Sequence, residues 1–348
     1  MNVAFFHSSL PEPGRKLGGV EVFVHRLACR LTERGHTVRM CSFSPRPEGA
    51  PYDFVRAGSR WLGTSQSARL GLAPLVINRL STGPADVLHL HGDDWFYVNR
   101  RLPTVRTFYG SAYHEARTAT SVRWRCAMAL VYPLELLASR LATASFDIGT
   151  RLPHGYRLHG SLSLAVDAAA ERTPAPRSEH PTVLFVGTWR GRKRGEFLAD
   201  LFTREVRTRH PTAELLMVSD ACEERPGVRW IGFPTDEQLR SLYGASWLLC
   251  APSTYEGFGL PYLEAMHHGL PVVATPNPGA RHVLGDAASR LAGDGELGDA
   301  LCDLIADGRE RARLAEAGLR RAATFSWDRV LDEHERAYEL AVTSFRSR

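Results

Sequence analysis

Residues 247–269 read WLLCAPSTYEGFGLPYLEAMHHG, and this stretch decides the fold. Its first part, 247–252, is a short apolar run, which is typical of a buried parallel strand. Pro261 suits the first turn of a helix, and the pattern predicts that this helix continues to Gly269. The stretch therefore predicts a strand that leads through a glycine-containing turn into the N-terminus of a helix.

Two glutamates, Glu256 and Glu264, bracket this turn with seven residues between them. The free N–H groups and the dipole of a helix N-terminus attract an anion, typically a phosphate. Glu256 would face that ligand, and Glu264 lies about a turn into the helix, where a carboxylate can accept the hydroxyls of a ribose. Either glutamate alone is compatible with an ordinary solvated side chain. Together they suit a nucleotide diphosphate that carries a sugar.

The string 255–266 resembles the signature of the retaining GT-B glycosyltransferases of family four, also called glycosyltransferase group 1. The resemblance implies an α/β fold, GT-B, with two Rossmann-like domains facing a cleft. It implies that Glu256 contacts the donor sugar and that Glu264 binds the ribose. It also implies that three backbone amides hold the distal phosphate, those of Phe258, Gly259 and Leu260.

Length and composition indicate a soluble protein of two domains, because 348 residues exceed one ordinary core. The longest apolar helix candidate, 126–138, is interrupted by Pro133 and Glu135 and is too short to span a bilayer. The N-terminus lacks the pattern of a signal peptide, so we expect a cytoplasmic protein. Six cysteines without a Cys-x-x-Cys pair predict free, buried thiols and no metal site.

The net charge of +5 is distributed unevenly along the chain. Residues 1–166 hold 20 Lys and Arg against 11 Asp and Glu, whereas residues 167–348 hold 23 against 27. Such segregation usually reflects solvated faces, but it also suits an anionic partner such as an acidic acceptor or lipid head groups. The chain has no clustered aromatic and basic modules, which argues against nucleic acid. Peripheral membrane contact stays compatible with this pattern.

Strands alternate with helices in both halves, which predicts parallel sheets with ligands at the carboxyl ends of their strands. We predict an N-terminal, acceptor-side domain over 1–167 and a nucleotide-sugar-binding domain over 168–326, with a linker at 168–181. By resemblance, the last helix, within 327–348, crosses back to the first domain. Strands are predicted at 3–6, 37–41, 86–91, 105–109, 182–186, 213–219, 228–232, 247–252 and 270–275.

Only two of the 43 basic residues are lysines, Lys16 and Lys193. Both fall in glycine-rich loops after predicted strands, where phosphates would bind. A compact ammonium acts on a phosphate as a point charge, and Arg does not replace it without loss. We therefore expect Lys193 to contact the leaving diphosphate and place Lys16 on the acceptor side.

The loop that contains Lys193 departs from the family pattern, which is Gly-Arg followed some residues later by Lys-Gly. Gly187 and Lys193 match by spacing, but Thr188 stands at the place of the arginine. Arg190 or Arg192 would substitute for it, and the sequence does not choose between them. Four cations in five residues, 190–194, are otherwise a common solvated charge run.

Further donor-site positions come from weaker resemblances. Gly18 and Gly19 open the first predicted helix and resemble the glycine pair of the family. The three-glycine spacing of a dinucleotide fingerprint is missing, which argues against a dehydrogenase. Gly232 and Phe233 resemble the segment whose backbone reads the nucleobase edge.

Polar residues at the ends of the first-half strands are candidates for the acceptor side. His91, Asp93 and Tyr109 end predicted strands. The family often has a donor-contacting histidine at the position of Tyr109, so His91 or His114 would supply that contact. A lone histidine is otherwise a structural residue at least as often.

Together with the resemblance to family four, these observations predict a retaining transfer from a nucleotide-diphosphate sugar to an acceptor hydroxyl, with UDP as the default because it is frequent in that family. The chain has no Asp-x-Asp motif in a plausible donor loop, and we expect neither a metal nor a cofactor. Two alternatives keep the same donor site, a GT-B sugar-nucleotide epimerase and a non-catalytic nucleotide-sugar binding protein. Arg- and Ala-rich usage favours a GC-rich bacterial source, with a role in glycan or natural-product biosynthesis.

Overall fold

The chain forms two compact units in a computed structural model that describes residues 1–12, 18–64, 68, 71–119, 121–150, 152–167, 177–285 and 288–347. The first unit comprises Met1–Arg117, Val122–Leu164 and Trp327–Arg348, and the second comprises Thr118–Ser121 and Ala165–Ser326. Lys16 and the first part of the predicted linker, 168–176, lie outside the described residues.

The first unit contains a seven-stranded parallel sheet of order β3-β2-β1-β4-β5-β6-β7. Phe5 of the central strand pairs with Met40 on one side and His89 on the other. The central strands are buried on both faces, which is why they read as continuous apolar runs. The strands are β1 (Asn2–Phe6), β2 (Thr37–Ser42), β3 (Asp53–Arg56), β4 (Val87–Leu90), β5 (Thr104–Thr107), β6 (Ala144–Asp147) and β7 (Gly160–Ser161).

The second unit contains a six-stranded parallel sheet of order β10-β9-β8-β11-β12-β13. Its core is formed by buried apolar side chains such as Phe185, Leu198 and Leu248. The strands are β8 (Thr182–Val186), β9 (Glu214–Val218), β10 (Val228–Trp230), β11 (Leu248–Ala251), β12 (Val272–Ala274) and β13 (Ser289–Leu291). Two parallel sheets with helices agree with the predicted fold class.

Helices connect the strands in both units. They are α1 (Gly19–Glu33), α2 (Arg60–Thr64), α3 (Ala73–Val76), α4 (Ala112–Thr118), α5 (Val122–Leu141), α6 (Gly195–Leu201), α7 (Arg207–Arg209), α8 (Asp236–Ala245), α9 (Leu260–His267), α10 (Pro278–Leu284), α11 (Leu297–Ala306), α12 (Gly308–Ala322) and α13 (Trp327–Arg346). Short 3₁₀ turns cover Ile77–Arg79 and Gly191–Lys193. No helix of the described part of the chain is long and apolar enough to cross a membrane.

The terminal helix α13 packs on the first unit. Trp327 stacks on Phe23 of α1 with ring centroids 5.6 Å apart and an angle of 7° between the planes. Further along α13, the Tyr338 hydroxyl lies 3.0 Å from Nδ1 of the buried His89. The apolar face of α13 is therefore covered by α1 and the first sheet, which stabilises the helix by burial rather than by propensity.

Several details differ from the sequence predictions. The sequence pattern did not predict β3, β6, β7 or β13, because short strands with Ser, Asp, Arg or Gly lack a clear apolar period. The alternation of strands and helices did not reveal a π-helical turn, Phe202–Val206, between α6 and α7. The prediction that all cysteines are buried was wrong, because Cys126 is exposed on α5. Arg177, within the predicted linker, is bound to the second unit through the Gly269 carbonyl at 2.8 Å.

The chain order reverses once within each sheet, between β1 and β4 and between β8 and β11. At such a reversal, the loops that follow the two neighbouring strands turn to opposite faces of the sheet, and the crevice between them can hold a ligand. The loops at the second of these points are 187–194 and 252–259, which contain most of the predicted donor-site residues. The topology therefore places the candidate site at an edge where open α/β sheets commonly bind ligands.

Candidate functional site

A buried carboxylate held by two cations forms the centre of the candidate site in the second unit. The Lys193 ammonium lies 2.5 Å from Oε1 of Glu256, and Nη1 of Arg192 lies 2.8 Å from Oε2. Nη1 of Arg192 also donates to the Tyr255 carbonyl at 2.8 Å. The side chain of Glu256 is only 5% exposed. The structure thus brings together Glu256, Lys193 and Arg192.

This arrangement determines the charge of the carboxylate. Burial alone would raise the pKa of Glu256, but the adjacent Lys193 and Arg192 outweigh it and lower the pKa to about 2. Glu256 is therefore ionised at neutral pH. Lys193, Arg192 and Glu256 together carry a net charge of +1, which favours a phosphate ligand, and the carboxylate of Glu264 also acts on Lys193.

The structure distinguishes the two arginines that the sequence left open. Arg190 directs its guanidinium to Glu196 at 3.2 Å and to Glu223 at 3.4 Å, and its side chain is 71% exposed. Arg192 instead contacts Glu256 directly. Arg190 therefore does not join the cluster, although the sequence kept it as one of two candidate catalytic arginines that would substitute for the one missing at Thr188. The Thr188 hydroxyl donates to the Arg190 carbonyl at 2.8 Å, so it shapes the loop rather than replacing a cation.

The loop before α6 is held in place by its own side chains. Arg194 adopts a left-handed conformation, with φ of 57°, which is uncommon for a residue with a Cβ. Its guanidinium makes paired contacts with Asp294 at 2.7 and 2.5 Å, and its Nε donates to the Pro252 carbonyl at 2.6 Å. These bonds fix the segment that carries Lys193 against the end of β11.

Two glycines allow close approach around the cluster. A Cβ on Gly187 would lie 2.7 Å from Cζ of Phe185 and 3.0 Å from Cβ of Lys193. A Cβ on Gly279, at the start of α10, would lie 2.6 Å from the Phe258 carbonyl and 2.8 Å from Cβ of Glu256. Both glycines are therefore required for the observed packing of the two loops.

The N-terminus of α9 presents free backbone amides beside this cluster. Gly259 caps the helix in the left-handed conformation, with φ of 95°. No oxygen of the described residues accepts a hydrogen bond from the N–H groups of Phe258, Gly259 and Leu260. Such unsatisfied donors at a helix N-terminus are suited to an anion.

Glu264 lies on α9 and is held by a residue that the sequence did not single out. The hydroxyl of Tyr243, a buried residue of α8, donates to Oε2 of Glu264 at 2.7 Å. Burial, together with the charge of Glu264, raises the pKa of Tyr243, so its proton stays on the hydroxyl. The ring of Tyr243 stacks on His268 with centroids 5.5 Å apart. One oxygen of Glu264 is thereby oriented by the protein itself.

Asn277 is a second residue that the sequence analysis missed. Its side-chain oxygen caps α10 by accepting from the Ala280 amide at 3.0 Å. Its side-chain nitrogen donates to the Ser253 carbonyl at 3.1 Å and to the Tyr262 hydroxyl at 3.2 Å. It thus ties α10 to the Glu256 loop and to α9. The sequence signal was present, since Asn277-Pro278 is a typical helix start.

The predicted nucleobase segment follows β10. Gly232 has a positive φ of 73°, and Phe233 is exposed. The neighbouring Trp230 donates from its indole nitrogen to the Ser219 carbonyl at 3.0 Å while its ring is exposed. The second unit therefore presents two exposed aromatic rings on either side of a turn.

Three of the predicted acceptor-side residues follow strands of the first unit: His91 and Asp93 come after β4, and Tyr109 comes after β5. Nδ1 of His91 lies 2.7 Å from the Tyr109 hydroxyl, and the Ser8 hydroxyl donates to Oδ2 of Asp93 at 2.6 Å. Burial and the neighbouring His89 lower the pKa of His91, so it is neutral at pH 7. His91 and Tyr109 thus form one hydrogen-bonded pair, so of the two histidines that the sequence left open it is His91 that contacts Tyr109.

Two further candidates of the first unit, His114 and Gly19, lie on helices. His114 lies in α4 beside Tyr113, with ring centroids 5.4 Å apart. Gly19 is the first residue of α1, and the amide of the preceding Gly18 donates to Glu21 at 3.0 Å. Glu21 also accepts from the Ser9 hydroxyl at 2.6 Å, which links the start of α1 to the end of β1.

Comparison with known families agrees with this architecture. The family model described as "Glycosyltransferase Family 4" matches residues 17–146, and the model "Glycosyl transferases group 1" matches residues 180–307. A phosphatidyl-myo-inositol mannosyltransferase from Mycobacterium leprae (strain TN) is 28% identical over 94% of both chains. An O-antigen chain mannosyltransferase B from Escherichia coli is 33% identical, but the match covers 45% of each chain.

Solved structures share the same fold. Sucrose-phosphate synthase from Thermosynechococcus elongatus superimposes with a TM-score of 0.73 at 16% identity, covering 97% of this chain and 98% of that one. WaaG, a glycosyltransferase involved in lipopolysaccharide biosynthesis, superimposes with a TM-score of 0.72 at 17% identity, covering 97% and 99%. With both halves matched by glycosyltransferase family models and the whole chain by GT-B structures, this protein belongs to the GT-B glycosyltransferase superfamily.

Proposed function

We propose that this protein is a retaining glycosyltransferase that transfers a sugar from a nucleotide-diphosphate sugar to an acceptor hydroxyl without a metal ion. The observation that carries the proposal is the Lys193–Glu256–Arg192 cluster beside the free amides of α9. A positive cluster and a helix N-terminus suit a diphosphate, and a fixed carboxylate suits a sugar hydroxyl. The family membership supports the same chemistry.

Each residue of the cluster has a role in this proposal. Lys193, Arg192 and the Phe258–Leu260 amides would neutralise the diphosphate as it leaves, when its charge is greatest. Glu256 would orient the sugar, because both of its oxygens are held by cations and its low pKa prevents it from acting as an acid. Glu264, oriented by Tyr243, would accept the ribose hydroxyls.

The transfer would take place on one face of the sugar. The bond between the anomeric carbon and the diphosphate oxygen breaks, and the acceptor oxygen forms a new bond on the same face. The acceptor proton passes to the departing phosphate oxygen, so no enzyme nucleophile is required. The substrate's own leaving group serves as the base, and the cations of Lys193 and Arg192 stabilise its developing charge.

The identity of the donor and the cellular location of the reaction are further parts of the proposal. UDP is our default for the base, and mannose is the sugar to test first because several relatives are named as mannosyltransferases. His91, Asp93 and Tyr109, at the ends of first-unit strands, are the acceptor-side residues in this proposal. Six free cysteines suit a reducing compartment, so we place the reaction in the cytoplasm.

Product analysis distinguishes this function from its two alternatives. The protein is incubated with UDP and GDP sugars, each with and without a panel of hydroxyl acceptors, and products are separated by mass and by anomeric configuration. Free nucleotide with an α-linked product from an α-linked donor supports a retaining transferase. An altered sugar without acceptor indicates an epimerase, and binding without turnover indicates a binding protein. Thermal shifts with the same nucleotides identify the base, since a ligand that binds the folded state raises its stability.

A further inference from the structure

We propose that the exposed face of α5 docks on the surface of an anionic lipid bilayer. This face is defined by six outward residues, Val122, Cys126, Ala129, Leu130, Pro133 and Leu137, all of which are exposed. The side chains of Val122 and Leu130 are among the most exposed large apolar groups of the described residues, at 70% and 72%. The inference does not depend on the proposed transfer chemistry.

The six residues form a continuous stripe. At about 100° per residue, their positions fall within an arc of roughly 100° along a helix about 30 Å long. The opposite side of α5 packs on the first unit through buried Met128, Val131 and Ala138. The helix therefore has two apolar faces, of which one is covered and the other lies open.

The charges on α5 are arranged around this stripe. Arg123 and Arg125 lie on either side of it, Arg140 continues it at the C-terminal end, and all three are exposed. The one acidic residue of the helix, Glu135, points inward, where it accepts from the Ala112 amide at 3.0 Å and from the Tyr156 hydroxyl. The outward face of α5 is thus apolar and cationic, with no carboxylate of its own.

A bilayer with anionic head groups complements such a face. An amphipathic helix of this length lies in the plane of the interface, with its apolar stripe at the acyl boundary and its arginines at the phosphates. The basic balance of residues 1–166 has the same sign.

A second copy of the chain fits this face less well. In a symmetric dimer the two stripes would meet face to face, and the arginines of one helix would approach those of the other. No exposed carboxylate on α5 is available to pair with them. Like charges brought together in this way oppose association.

The test measures binding of the full chain to lipid vesicles by co-sedimentation. We expect binding to vesicles of phosphatidylglycerol and phosphatidylcholine and little binding to phosphatidylcholine alone. Arg123→Glu with Arg125→Glu should weaken the partition coefficient by at least about thirtyfold, the scale expected for two cations at an anionic surface. Leu130→Glu with Leu137→Glu should abolish binding, because charges replace the residues that enter the interface.

Matched controls lie on other exposed helix surfaces. Leu340→Glu on α13 replaces an exposed leucine, and Arg320→Glu on α12 replaces an exposed arginine. Both should bind vesicles like the unaltered chain, and all variants should keep their melting temperature and their affinity for nucleotide. Equal binding to neutral vesicles, or α5 variants that bind normally, would overturn the proposal. The proposal would also be overturned if the unaltered chain bound no vesicles and instead formed a concentration-dependent dimer that Leu130→Glu dissociates.

Discussion

Lys193→Ala should reduce turnover more than it reduces binding of the sugar nucleotide. The ammonium lies 2.5 Å from Glu256, and its side chain is only 17% exposed, so it is a preorganised charge in a site that is partly closed to water. The leaving diphosphate gains charge in the transition state, and the ammonium binds that state more tightly than the ground state. Loss of one such donor costs about 3 kcal/mol, or roughly a hundredfold in kcat.

The same loop provides a matched control for this substitution. Arg190→Ala removes an equal charge, but from an exposed side chain that is paired with Glu196 and Glu223. Because exposed pairs contribute about 1 kcal/mol or less, kcat should change by no more than about fivefold.

Lys193→Arg tests the geometry rather than the charge. It should restore only part of the activity, since a planar fork cannot occupy the position that the ammonium holds against Glu256. Steady-state kinetics that give kcat and KM separately for each Lys193 and Arg190 variant test this prediction. A fully active Lys193→Arg, a Lys193→Ala that changes KM alone, or an equal loss in Arg190→Ala would refute the reasoning.

Four further predictions concern the same unit. Glu264→Ala should weaken binding of the free nucleoside diphosphate by about 1.5–3 kcal/mol, measured by calorimetry, because the ribose loses its oriented acceptor. Tyr243→Phe should cause a smaller loss of affinity. Unchanged affinity in Glu264→Ala would contradict this assignment. Gly279→Ala should lower kcat while the protein stays folded, because the new methyl group displaces the Glu256 loop; full activity would show that the loop tolerates the shift. Because Lys193 and Arg192 lower the pKa of Glu256 from 4.5 to about 2, the ionised carboxylate contributes stability that is fully present above pH 4.5. That contribution is lost as the pH falls from 4.5 towards 2. The free energy of unfolding, measured with urea, should therefore fall more steeply over this pH range for the unaltered chain than for Glu256→Gln. Activity should survive excess EDTA, because Lys193 and Arg192 already offset the diphosphate charge; loss of turnover that magnesium or manganese restores would overturn the metal-free mechanism.

The central strands of both sheets could be predicted from the sequence because each carries its own signal. The runs at β1, β4, β8 and β11 are buried on both faces, and such strands are predominantly apolar. The buried His89 in β4 is accommodated because its ring nitrogens lie within hydrogen-bond distance of Tyr338 and Thr107. The strands β3, β6, β7 and β13 were missed for the opposite reason. They are short, and their polar residues are accommodated by pairing with a neighbour that only the assembled sheet provides.

The secondary structure around Glu256 could likewise be predicted from the sequence. A strand, a glycine turn and a helix that starts with proline follow from residues that are close together in the chain. The structure has the helix at α9 and the strand at β11, as that pattern indicates. Residue types with such strong local preferences determine their conformation without help from distant parts of the chain.

The sequence by itself therefore determined the parallel α/β architecture and the position of the strand, turn and helix around Glu256, since both depend on periodicity and on turn chemistry over short stretches. Only the tertiary structure decided that Arg192 rather than Arg190 reaches Glu256, and that Tyr243 holds Glu264. The two arginines are separated by one residue, and their directions depend on a loop that Arg194 fastens to Asp294, 100 positions away. Contacts of this kind arise from the packing of distant segments, and no local pattern encodes them.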